Sequence, residues 1–147
     1  RFQVDTFAHY TAMVASWYGV GSGSETAVLV ERNNHGHAVL LWFSENRDNE
    51  EVASVDWDFV TILDGLDGRA GWLSSAKGKK QMYTYGTEAF RDEETVLRSF
   101  ETYAQLSSIS GSTLRAPEGE RDDRADSYVL ALTAVNVGES SGGGWVG

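Results

Sequence analysis

Apolar residues recur along this chain with two periods, and short runs can satisfy both. Over residues 4–18, Val4, Phe7, Ala8, Thr11, Val14, Ala15 and Tyr18 recur at three- and four-residue steps, which predicts a helix with one apolar stripe. The glycines of GVGSGS, residues 19–24, end it, because glycine disfavours helix and strand alike. ETAVLVER (25–32) and HAVLLWFS (37–44) then alternate, with β-branched residues in the first and larger side chains in the second. Between them NNHG supplies residues that tolerate left-handed backbone, so the spacing predicts a β-hairpin with its loop at 33–36.

Residues 52–63 fit both periods. Val52, Val55, Phe59, Ile62 and Leu63 suit a helix, while Val55, Trp57 and Phe59 alternate with Asp56 and Asp58 as in a strand; a helix or a helical turn is the reading taken. DGLDGRAG (64–71) is a loop, and GWLSSAKGKKQMYTYGT (71–87) reads as a second hairpin turning at AKGKK. DEETVLRSFETYAQL (92–106) reads as a helix capped by Asp92, with Val96, Leu97, Phe100, Tyr103 and Ala104 on one face. A long polar loop holding Pro117 follows over 107–126, and SYVLALTAVNV (127–137) alternates with both faces apolar, as a strand covered on both sides does. The predicted fold is α+β: a mainly antiparallel sheet built from two hairpins and a C-terminal central strand, packed with two to three helices. Residues 1–138 make one domain, and 139–147 a Gly/Ser-rich tail. Val28, Val30, Leu41, Val96, Leu97, Phe100, Tyr103, Leu130 and Leu132 are the expected core.

Composition narrows the function. At 147 residues, with five Trp, six Tyr and six Phe, the chain has enough bulky apolar material for a core, and no apolar run is long enough to span a bilayer. The absence of cysteine excludes disulfides and thiolate metal sites. Twenty-two acids face twelve bases, for a net charge of −10, which repels nucleic acid and anionic lipid. Only Lys77, Lys79 and Lys80 are lysines; an acidic, lysine-poor chain fits a salt-loving or high-GC source. Because residue 1 is Arg, the chain is expected to be a processed product or part of a longer one.

Candidate chemistry is sparse. His35 and His37 stand one residue apart, with Glu31, Glu45 and His9 as further donors for a metal. In the hairpin reading Gly36 breaks their common face, so no metal site is expected. Asp56, Asp58, Asp64 and Asp67 surround a Gly-rich loop and could offer oxygen ligands to calcium. Their spacing is not that of an EF-hand, and solvated turns are the expectation. The lysine cluster lacks the form of a phosphate loop, and no nucleophile elbow, HExxH or dinucleotide fingerprint is present. Ordering the tail costs about 1–2 kcal/mol per residue, so Trp145 and Val146 are the expected anchor on a neighbouring subunit. These features point to a non-catalytic structural subunit of an extracellular or viral assembly, a virion or filament component. It would contact copies of itself or other subunits and carry no cofactor. An acidic immunity or inhibitor protein, cytoplasmic and covering a basic toxin or nuclease, is the alternative. A metal-dependent hydrolase using His9, His35, His37 and the aspartates is the second.

Overall fold

The computed structural model describes residues 3–140. Among them are five α-helices and two three-residue strands: α1 (Val4–Ser22), β1 (Thr26–Val28), α2 (Asn34–Asn46), β2 (Val60–Ile62), α3 (Ala76–Arg91), α4 (Phe100–Ser108) and α5 (Asp123–Ser140). The two strands are parallel. The mainly antiparallel sheet predicted from the alternating runs is therefore corrected to a mostly helical fold. The chain divides into two compact units, one running through Ser74 and taking in the end of α5 from Val137, the other Ser75–Asn136.

In the first unit α1 is the helix expected from its period, extended to Ser22. It stops where Gly23 adopts φ 72°, a left-handed conformation open to glycine, and donates its N–H to the Gly19 carbonyl at 2.9 Å. Its buried residues are Ala8, Ala12, Ala15, Ser16 and Gly19, with Val4 and Met13 partly buried against the same core, so α1 approaches its neighbours mainly on small residues.

The segment NNHG does not turn a hairpin. Asn33 is extended and its side-chain oxygen accepts the N–H of Gly36 at 2.8 Å, an N-cap that satisfies a donor otherwise orphaned at a helix start. HAVLLWFS is then helical, with Gly36, Val39 and Phe43 buried at steps of three and four. β1 is a strand as expected, but its partner is β2, with Thr26 opposite Val60, Ala27 opposite Thr61 and Val28 opposite Ile62. A parallel pair requires a crossover between its strands, and α2 is that crossover. The ladder continues beyond the strands through Leu63 N–H to Val28 O at 2.9 Å and Trp72 N–H to Val30 O at 2.7 Å. The segment 52–63, which fits both periods, becomes a single 3-10 turn at Trp57–Phe59 capped by the Asp56 carboxylate, and then β2. Ala8, Ala12, Ala15, Val39, Phe43, Val55 and Val60 form the core of this unit.

In the second unit the expected hairpin at 71–87 is replaced by α3. Ser75 caps it by accepting the Gly78 N–H at 3.1 Å, so AKGKK is a first helical turn. Asp92 does not start a helix: it ends α3, donating its N–H to Glu88 O at 2.9 Å. α4 begins later, capped by Ser99. The expected strand 127–137 is helical. An almost wholly apolar run satisfies a spacing of four as well as of two, and α5 buries Ala125, Val129 and Thr133. Gln105 starts it, its Oε1 accepting the N–H groups of Arg124 and Ala125 at 2.8 and 3.2 Å. Within the unit Phe90 stacks on Tyr128 with ring centroids 5.9 Å apart.

The core forecast changes with the elements. Val28, Val30, Leu97, Leu130 and Leu132 are partly buried, but Leu41, Val96, Phe100 and Tyr103 are exposed. Phe100 is 79% exposed. Phe100→Ala is accordingly expected to shift the free energy of urea unfolding by no more than about 0.5 kcal/mol, the range of ordinary surface substitutions.

Candidate functional site

Helix α1 places its aromatic side chains on the side opposite its core contacts. At about 100° per residue, Ala8, Ala12, Ala15, Ser16 and Gly19 fall on one arc. Phe7, Tyr10, Val14, Trp17 and Tyr18 fall on another, about 100° wide and nearly diametrically opposed. Each of those five is at least half exposed, from Val14 at 51% to Trp17 at 71%. Trp17 and Tyr18 pack edge to face with centroids 5.0 Å apart, which fixes the far end of the stripe. Asp5 is the only formally charged side chain in the helix; it is exposed in the first turn, off the stripe. An exposed apolar face of this kind is the sort of surface on which proteins make contacts. The sequence period found this helix, but the single stripe expected from it is split: Ala8 and Ala15 are buried, whereas Phe7, Val14 and Tyr18 are exposed. The contrast of small residues at 8, 12, 15 and 19 with rings at 7, 10, 17 and 18 was the available signal.

Beside the start of α1 lies a groove of about 600 Å³ lined by Val4, Asp5, His35, Leu41, Trp42 and Glu45 among others. His35 and His37 are exposed on the first turn of α2, where two positions one residue apart project about 200° from each other. Their divergence follows from the helix, not from the turn at Gly36. Glu45 is exposed further along α2, and Glu31 is bridged to Trp72 in the ladder.

His9 has a different partner. Its Nε2 lies 2.8 Å from Ser54 Oγ, and its ring stacks on Trp42 with centroids 5.5 Å apart. A hydroxyl beside an imidazole is the start of a nucleophile–base pair. Among the described residues, however, no carboxylate forms an ion pair with the imidazole.

The four aspartates are not brought together. Asp56 caps the 3-10 turn through the Asp58 N–H, and Asp64 closes a small loop by bridging to Ala70 and Gly71. Asp67 receives a 2.8 Å hydrogen bond from Arg32, whose side chain is only 7% exposed. That bond holds the Asp67 carboxyl below the ordinary carboxylate range. Among the described residues no three His, Asp or Glu side chains gather in a way that could hold a metal. Trp145 and Val146 lie outside the described residues.

The lysine cluster has one structural member. Lys79 and Tyr83 of α3 both donate to Asp126 of α5, at 3.2 and 2.7 Å. Burial first, and then the Asp126 carboxylate, push the Tyr83 phenol well above its ordinary value. A phenol with a raised folded pKa stays protonated when the unfolded one has ionised. Its stabilising contribution is therefore intact below about pH 10 and is lost as pH rises through the folded value. Urea unfolding followed from about pH 9 to 11 should show stability falling with pH, and Tyr83→Phe should reduce that slope. An unchanged slope would show that Tyr83 titrates alike in both states.

Among the described residues no helix is long and apolar enough to cross a membrane. No family model, curated protein or solved structure matches the chain.

Proposed function

We propose that this chain is a non-catalytic subunit of a protein assembly, of the virion or filament kind, and that it docks through the outer face of α1. The observation that carries this reading is the outward stripe of Phe7, Tyr10, Val14, Trp17 and Tyr18 on a helix that packs inward on alanine, serine and glycine. Exposed tyrosine and tryptophan are the side chains that contribute most to protein contacts when covered. The stripe also separates this reading from its rivals. An inhibitor of a basic enzyme needs carboxylates among its anchoring rings, and none of the stripe's own residues carries one. A hydrolase needs its base oriented and its site enclosed, whereas the His9–Ser54 contact is open to solvent.

The test is the size of the species that contains the chain in extracts of its source, read by gel filtration and immunoblot. The wild-type chain should run well above its monomer mass of 16.1 kDa. Trp17→Glu should run as monomer with its helical circular dichroism intact. A wild-type chain at monomer mass in the extract would overturn the reading.

A further inference from the structure

We infer that the occupant of the α1 face is a second copy of this chain, paired by two-fold symmetry through an α1–α1 seam centred on Val14. The inference rests on the assembly reading above and names its partner. The spacing is the first argument. Phe7, Tyr10, Val14 and Trp17 follow one another at steps of three, four and three, and the next step of four reaches Gly21. That is the seam period of two helices packed side by side. Laid antiparallel about Val14, Phe7 of one copy falls on Gly21 of the other, and Tyr10 falls on Tyr18. A Cβ at Gly21 would meet nothing within 4 Å in the single chain, so the space a facing ring would fill is open.

Area is the second argument. The rings of Phe7, Tyr10, Trp17 and Tyr18 are 54%, 57%, 71% and 61% exposed. At about 150–250 Å² per buried aromatic side chain, they offer roughly 400–600 Å². A specific interface takes about 800 Å² from each partner, so four residues supply more than half of one side, before Val14 and the flanking positions are added. Charge is the third. A basic partner would find no carboxylate on this stripe, whereas a second copy meets it with an equally uncharged stripe. The −10 charge of each copy opposes association, and salt screens that repulsion, with a Debye length of about 3 Å at 1 M. Pairing through α1 must therefore strengthen with salt, whereas a contact driven by opposite charge weakens.

The experiment is sedimentation velocity on the purified full chain at low and high NaCl. The expected result is a dimer whose dissociation constant falls roughly tenfold or more as screening sets in. Trp17→Glu and Phe7→Glu should each be monomeric, with unchanged circular dichroism. Because the chain has no cysteine, Val14→Cys adds a direct reading: it should oxidise to a covalent dimer far faster than Ser112→Cys, an exposed site in the other unit. Four results would overturn the inference. They are a monomer at every salt concentration, a dimer that survives both glutamate variants, a dimer that weakens with salt, or equal crosslinking at the two cysteines. A monomer whose Val14→Cys thiol is alkylated faster once residues 141–147 are removed would assign the face to the chain's own C-terminal segment. A chain that is heavy in extract but monomeric when pure sinks the second copy alone; monomer mass in both sinks the assembly reading too.

Discussion

Gly36→Ala is expected to remove about 3 kcal/mol or more of stability. A Cβ at Gly36 would sit 1.8 Å from the carbonyl oxygen of Glu31 and 2.9 Å from its carbonyl carbon. Those are backbone atoms and cannot rotate away. Glu31 is fixed on either side, by Trp72 N–H to Val30 O and by Arg32 N–H to Trp72 O, each 2.7 Å long. Relief must come from lifting the first turn of α2, which also loosens the bond from the Gly36 N–H to Asn33. The helical preference of alanine over glycine returns at most about 1 kcal/mol, too little to offset the clash. Gly21→Ala is the control: it too is helical, nothing lies near its Cβ, and it should be neutral or stabilise by up to about 1 kcal/mol. Urea unfolding of both variants checks the pair. A Gly36→Ala protein within about 1 kcal/mol of wild type would mean that α2 does not start against Glu31.

Phe43→Ala is the second large effect, about 3–5 kcal/mol. Phe43 is 3% exposed and lies edge-on to Trp42 and Trp57, with centroids 6.0 and 6.1 Å away. Truncation leaves a void between two large rings that cannot easily collapse into it. Set beside the near-silent Phe100→Ala, the same substitution measures two environments. A small effect at position 43, or a large one at position 100, would reverse the assignment of inward and outward faces in its unit.

The sequence was legible where a period ran long enough. The helical step over residues 4–18 gives α1, which in the structure runs on through the glycines to Ser22, and Thr26–Val28 is a strand as read. The failures at α2 and α5 share one cause, whereas at α3 the polar run AKGKK reads equally well as a turn. Short runs such as HAVLLWF and SYVLALTAV are apolar at so many positions that steps of two and of four are both satisfied. What distinguishes them lies just upstream. Asn33 and Ser75 each stand three residues before the N–H they cap, and weighting those caps would have turned two predicted hairpins into helices. The β1–β2 pairing was not legible from local pattern, because β1 finds its partner more than thirty residues on, beyond α2. For the candidate site, the apolar period groups Phe7, Val14 and Tyr18 with Ala8 and Ala15, whereas the structure buries the two alanines and exposes the three larger residues with Tyr10 and Trp17. A helical period this broad fits a mixed stripe as well as the observed division, and is silent on which side meets the core. Residue volume carried that answer, small toward the core and large away from it.

The outward stripe of α1 also bears on calorimetry. Unfolding an ordinary domain raises the heat capacity by about 12–15 cal/mol/K per residue, because buried apolar groups become hydrated. In the single chain the four rings of α1 are already more than half hydrated, so melting this helix adds little new apolar hydration. The isolated chain should fall below that range, with a correspondingly shallow urea slope and a flatter stability curve against temperature. Once a partner covers the stripe, the same rings are dry before unfolding and wet after it, so the heat-capacity step should grow with protein concentration.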